Sequence, residues 1–221
     1  MKNSENARKT VTIDIRKDLF GANENAAALN AENFKAHGIF ALDIMGSVGT
    51  GKTQLIEALC ERLGEKYRIL MFAGDLATTI DADRVAAHGV DTVQINTGTA
   101  CHLDARMIKV ALQKVKLSDY QIVFIENVGN LICPAGYSLG VDKKVVVVSV
   151  TEGPYMIRKH PLTIKSADMI VINKIDLAAA LEFDIDALEA DIREVDADLP
   201  VFRISSKTGE GIENLITALS L

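Results

Sequence analysis

The feature that most constrains this chain is the octapeptide GSVGTGKT at residues 46–53. It fits G-x-x-x-x-G-K-[ST], the spacing of a phosphate-binding loop. Gly46, Gly49 and Gly51 let successive backbone N–H groups turn inward around a polyphosphate, with Ser47, Val48 and Thr50 completing the loop. Lys52 brings a point charge to the outer phosphates, and the Thr53 hydroxyl suits Mg²⁺. Such a loop works only between the end of a strand and the start of a helix. Both are present: IFALDIM (39–45) precedes it, and Leu55, Ile56, Leu59 and Leu63 follow at helical spacing.

The strand-then-helix alternation continues along the chain. Strands are predicted at ILMFAGD (69–75), DTVQIN (91–96), QIVFIE from Gln121, VVVVSV from Val145, MIVIN from Met169 and VFRIS from Val201. Several are apolar at consecutive positions, as strands covered on both faces are. Helices are predicted over 23–37 (Ala26, Leu29, Phe34), 81–88 and 103–115, and after Asp184 and Gly211. The expected fold is α/β, a mostly parallel sheet with helices on both faces, the architecture of P-loop NTPases. With 221 residues, no repeat and no linker, a single domain is expected. Residues 1–37 would be an N-terminal arm and helix packed on the domain, the first 20 or so an arm or short edge strand, and 38–221 the phosphate-loop domain itself.

A net charge of −6 without any lysine- or arginine-rich run argues against a nucleic-acid partner. No apolar run is long enough to cross a bilayer, and the stretch 145–150 reads as a buried strand, so no membrane association is expected. Three cysteines, an odd number in a chain without an export signal, fit reduced thiols in the cytoplasm.

Two acids end apolar strands, Asp75 and Glu126, where open α/β sheets place ligands. Either can complete a Mg²⁺ site beside Thr53, or cap a neighbouring loop. ENVG (126–129) has the acid-x-x-Gly form of a GTPase switch, in which the Gly129 N–H senses a γ-phosphate. Downstream, NKID (173–176) follows the strand MIVI and matches the guanine-selecting element of GTPases. The Asp176 carboxylate can accept from guanine N1–H and the 2-amino group, donors that adenine lacks, a difference worth about 10⁴-fold. Asn173 belongs to the same element, and the Lys174 stem can lie along the base. Ser205, Ser206 and Lys207 open SSKTGEG, which resembles the loop that closes over guanine. GTP and GDP are therefore the expected nucleotides, and a GTPase the expected enzyme.

Three further residues can bind a soft metal. Cys101 and His102 are adjacent in NTGTACHLDA, and Cys133 lies in NLICPAG, four residues after Gly129. Adjacent side chains diverge on a strand but can converge at a helix start, where the helix dipole would also lower a thiol pKa. Free cysteines are equally at home as small core residues, and the residues alone leave both readings open. Cys60, among apolar neighbours, reads as core, and His37, His88 and His160 read as structural or solvent-facing.

Taken together, GSVGTGKT, GDLATTIDADR, NTGTACHLDA, ENVGNLICP, SVTEG and NKIDL resemble the hydrogenase nickel-incorporation GTPases, the HypB family, from about Asn23 to the end of the chain. The resemblance implies that Cys101, His102 and Cys133 bind Ni²⁺ or Zn²⁺ at a nucleotide-dependent homodimer interface. It also implies a metallochaperone that delivers nickel to the large subunit of [NiFe]-hydrogenase beside a partner accessory protein. The family's frequent amino-terminal cysteine motif and histidine-rich tract have no counterpart in this sequence, so no storage role is implied. PYMIRKHP (154–161) departs from the family pattern, and Ser47 stands where related dimeric ATPases carry a lysine. No glutamine follows Gly129 to orient water and no arginine finger is identifiable, so a slow intrinsic rate is expected, on the order of 10⁻³ per second. The rivals are a phosphotransferase, a urease-type nickel accessory GTPase, which would carry Cys-Pro-His in place of the CHL element, and a nucleotide-gated dimeric scaffold with a structural zinc.

Overall fold

The computed structural model describes residues 15–76 and 78–221. Its seven strands are β1 (Phe40–Met45), β2 (Ile69–Asp75), β3 (Asp91–Asn96), β4 (Ile122–Glu126), β5 (Lys143–Ser149), β6 (Met169–Asn173) and β7 (Val201–Arg203). They form one sheet in the order β3-β2-β4-β1-β5-β6-β7, and every pairing is parallel. The helices are α1 (Ile15–Ala36), α2 (Lys52–Leu63), α3 (Ile80–Ala86), α4 (Ala105–Leu112), α5 (Met156–Lys159), α6 (Pro161–Lys165), α7 (Ile185–Val195) and α8 (Ile212–Leu219).

Alternation along each strand sends side chains to two cores. Leu42 and Ile44 of β1 pack with Leu55, Ile56 and Leu59 of α2 and with Ile212 and Leu215 of α8. Ala41 faces the opposite side with Phe72, Val123 and Ile125, under Phe34 of α1 and Ile108 of α4. On that same side, Val146 and Ile170 meet Ile164 of α6 and Leu188 and Ile192 of α7. Both faces of the sheet are covered, which is why the central strands tolerate uninterrupted apolar runs. From β1 the chain runs to β2 and β3, and after β4 it turns to the other side, toward β5, β6 and β7. The mouth of β1, where the phosphate loop begins, is thus the place where the direction of winding reverses, the usual ligand crevice of such sheets.

The elements depart from the sequence expectations at three places. Residues 15–20 belong to α1 and not to an arm or edge strand, while residues 1–14 lie outside the described residues. No proline interrupts 15–36, and a nucleated helix extends at the gain of a hydrogen bond per residue. Its end is a Schellman motif: Ile39 N–H bonds Phe34 C=O at 3.0 Å, Gly38 N–H bonds Lys35 C=O at 3.1 Å, and Gly38 takes φ +65°. α4 starts at Ala105, two residues later than expected, because the Asp104 side chain accepts from Arg106 N and Met107 N, both at 2.9 Å, and so fixes the cap. The short helices α5 and α6 were not expected at all. They are separated by His160, and α6 opens with Pro161 at its first position, where the missing N–H costs nothing.

α1 is joined to two loops through buried asparagines. Asn23 donates to Ser138 C=O at 2.9 Å and accepts from Ala105 N–H at 2.8 Å. Asn30 donates to Ala105 C=O at 2.8 Å and to Leu139 C=O at 3.0 Å.

Candidate functional site

The strand ends converge on a cavity of about 500 Å³ lined by the phosphate loop, Asp75, Asp81, Glu126, Gly129 and Lys174. The loop glycines are needed where they stand. Gly51 takes φ +92°, and a Cβ there would lie 2.5 Å from Asn173 Nδ2. A Cβ on Gly129 would lie 2.4 Å from the Val48 side chain and 3.1 Å from its backbone, so the switch segment touches the phosphate loop with no clearance. Lys52 is buried and rests on Ser47 C=O at 3.1 Å. Burial lowers its pKa, and the nearby Glu126 and Asp81 carboxylates oppose that shift.

Thr53 Oγ1 lies 2.9 Å from Oε1 of Glu126 and 2.9 Å from Oδ1 of Asp81. One hydroxyl proton serves two acceptors, and Glu126 Oε2 is buried with no hydrogen-bond partner. Burial pushes the Glu126 pKa up to about 7 against the pull of Lys52. An orphaned carboxylate oxygen, a second carboxylate and a hydroxyl form an all-oxygen donor set, which fits a small hard dication such as Mg²⁺.

Asp75 behaves differently. Its carboxylate is held by the backbone N–H of Leu76 and the hydroxyl of Thr78, so the acid caps its own loop while still lining the cavity. Asp81, which the sequence analysis passed over, reaches Thr53 instead. It stands in the first turn of α3, and an acid one turn into a helix just beyond GDLATT was the signal available.

At the base end, Asn173 locks two loops together. It donates to Thr50 C=O at 2.9 Å, and its carbonyl oxygen accepts from Ser206 N and Ser206 Oγ, both at 3.0 Å. Ser205 Oγ donates to Asp176 at 2.6 Å. Lys174, at φ +63°, crosses the phosphate loop with its ammonium on Gly49 C=O. Among these residues, Lys207 alone has no role in this web that the geometry reveals.

The sulfur end lies at the other extreme of the 126–133 segment. Ligand atoms of Cys101, His102 and Cys133 all lie within 4.8 Å of one another, and the three residues are half-buried. Cys101 Sγ is 3.7 Å from His102 Nδ1, whose ring packs at a tilt of 39° against Tyr137 with centroids 4.2 Å apart. The cluster forms in the turn ahead of α4 and not at the helix start. The expected lowering of a thiol pKa is therefore absent: hydrogen bonding with the Cys133 thiol, then burial, raises the Cys101 pKa. Burial lowers that of His102, favouring the neutral imidazole that ligates metals. Cys60 is core, its thiol pushed up to about 12 by burial.

Residues 40–203 match the model of the CobW/HypB/UreG nucleotide-binding domain. The chain belongs to the CobW/HypB/UreG family. Within it the similarity is to HypB proteins. A probable hydrogenase maturation factor HypB of Methanocaldococcus jannaschii is 47% identical, with 92% of each chain covered. The hydrogenase maturation factor HypB of Azotobacter chroococcum is 42% identical over 90% of this chain, which spans 66% of that longer relative. The crystal structure of HypB from Helicobacter pylori in complex with nickel is 35% identical, with a TM-score of 0.85, 90% of this chain covered and 94% of that one. In this HypB-type chain the matched residues 40–203 include all of those that line the cavity at the mouth of β1. Among the described residues, no helix is long and apolar enough to cross a membrane.

Proposed function

We propose that this chain is a GTP-hydrolysing metallochaperone that carries nickel, with zinc as a competing cargo, and assists hydrogenase maturation in the cytoplasm. The carrying observation is the convergence of Cys101, His102 and Cys133 at one end of a segment whose other end, Glu126 to Gly129, lines the phosphate cavity. The names of the relatives supply the client process, and the nickel complex of one supplies the cargo.

In this reading Asp176 selects guanine while its partner Ser205 fixes the carboxylate. Loop amides and Lys52 bear on the transferred phosphoryl group, where preorganised donors act on developing charge. Thr53, Glu126 and Asp81 would hold Mg²⁺, and Asp75 shapes the loop beside them. When bound, Mg²⁺ would supply positive charge against that of the outer phosphates. Asn130 turns its side chain to the cysteine loops, which supports a site without a water-positioning amide. Hydrolysis without such a group is slow.

Two thiolates and an imidazole suit nickel and zinc alike and leave a fourth position for water or a second copy. Exposed Ile132 (71%) and Leu162 (76%) flank a cavity of about 540 Å³ beside Cys133, an apolar rim that supports a homodimer closing over the metal. The partner accessory protein and the hydrogenase large subunit would then meet a metal whose affinity depends on nucleotide.

The test is nickel titration of the full chain with GDP and with a non-hydrolysable GTP analogue, repeated with Cys101→Ala and Cys133→Ala. Different affinities in the two states, both abolished by either substitution, are expected. Equal affinities, or binding that survives the substitutions, would refute the reading.

A further inference from the structure

The segment ENVGN (126–130) carries two asparagines that grip the same turn from two sides. Asn127, only 2% exposed, donates to Asp43 Oδ1 on β1 at 3.2 Å and accepts from Leu103 N–H at 3.0 Å and Val128 N–H at 3.1 Å. It ties the far side of the Cys101–His102 turn to the central strand. Asn130 grips the near side. Its amide nitrogen donates to Cys101 C=O at 3.4 Å, while its carbonyl oxygen accepts from Ile132 N–H at 2.8 Å and Cys133 N–H at 3.4 Å. Its backbone forms an isolated antiparallel bridge with Gly46, the first residue of the phosphate loop.

One residue therefore touches the phosphate loop and both cysteines of the cluster. An amide can donate to one loop's carbonyl while accepting from N–H groups of its own loop; a carboxylate cannot donate and a hydrocarbon does neither. The two asparagines differ in freedom. Asn127 is anchored in the core. Asn130 follows Gly129, which has no clearance from Val48, so any change in the phosphate loop that moves Gly129 displaces Asn130 next. Its bonds to the two cysteine residues, both 3.4 Å, are near the long limit of N–H···O geometry and are the first to yield.

We propose that Asn130 is the positioning residue that transmits nucleotide state to the metal cluster, by setting the spacing of the Cys101 and Cys133 loops. This rests on the metal-switch reading above and names the residue through which it acts. Asn127 is the fixed side of the clamp, against which that spacing is set.

The experiment is nickel titration of the full chain, N130A and N130D, each with GDP and with the non-hydrolysable GTP analogue, followed by thiolate-to-nickel absorbance. In the unaltered chain the ratio of affinities between the two states is expected at about 5- to 150-fold. In N130A nickel and nucleotide still bind, but the ratio falls to about onefold, because the link and not either site has been removed. N130D keeps the acceptor for Cys133 N–H and loses the donor to Cys101, so its ratio falls as well. It is the second reading should N130A unfold, with circular-dichroism melting to establish the folded state of each. An unchanged ratio in a folded variant would overturn Asn130 as the link while leaving the switch intact. A ratio of one in the unaltered chain would overturn both.

Discussion

The phosphate end and the thiol end of the 126–133 segment are built in opposite ways. At the phosphate end, Lys52 and Thr53 at the start of α2 and Glu126 and Asn173 at the ends of central strands are buried, cross-bonded through Thr50, Ser206 and Asp81. At the thiol end, Cys101, His102 and Cys133 are half-buried, come from two loops, and are joined by contacts of 3.4 Å and longer. The contrast separates a site that must hold its shape from one whose spacing can change. Donors aimed at developing charge lose their value if they move. A metal that must be released requires ligands that can part.

That contrast can be broken most forcefully at Lys52. Lys52→Ala should slow single-turnover phosphate release from GTP by about 10²- to 10³-fold, as loss of one preorganised donor does. Nickel affinity of the nucleotide-free protein should stay as it was, and a parallel loss of nickel binding would mean that the two ends are one rigid site.

A smaller effect concerns Glu126. Burial raises its folded pKa from 4.5 to about 7. Protonated, the group is at ease in the fold; as pH rises from about 4.5 the unfolded chain ionises first, and that contribution is lost as pH passes 7. The metal-free protein should therefore melt at lower temperature as pH climbs through this window, by roughly 3 kcal/mol in all. Glu126→Gln should flatten the decline. Mg²⁺-dependent nucleotide binding should run the other way and strengthen as pH passes about 7, since the carboxylate must first lose its proton. A melting profile in Glu126→Gln identical to that of the unaltered chain would show that the buried carboxyl does not titrate in this range.

The smallest effect tests the support of the thiol end. Asn30→Ala leaves Ala105 C=O and Leu139 C=O without their donor, costing about 1–3 kcal/mol of stability by thermal melting. Nickel affinity should change little, because the contacts around the sulfurs are untouched; a large loss would make α1 part of the metal site.

The same contrast explains what the sequence could reveal. The phosphate and base elements are written as contiguous words at strand ends, so GSVGTGKT, ENVG and NKID were legible together with all seven strands. The nearness of Cys133 to Cys101 was expected from the family resemblance and is met by the structure. Contacts between words were not legible. Asp81 meets Thr53 across 28 positions, and Asn130 meets Cys101 across 29, so neither pairing has a local spacing to betray it. Asp75, by contrast, was legible as a strand-end acid, yet it spends its oxygens on its own loop. The late cap at Asp104 moved Cys101 and His102 off the helix start, and the thiol pKa argument built on that position fell with it.

The asparagines of α1 give the thiol end a common mount. Ala105 follows the Cys101–His102 turn and Ser138 and Leu139 follow the Cys133 turn, and both are bonded to the same helix. A push delivered along α1 carries the two turns together, as one piece, and leaves the gap between the sulfurs alone. A push through Gly129 enters by Asn130, inside the Cys133 turn, and reaches the Cys101 turn through the 3.4 Å bond from Asn130 to Cys101 C=O. Under the proposed switch, tugging the helix would move the whole cup, whereas nudging the phosphate loop would open its rim.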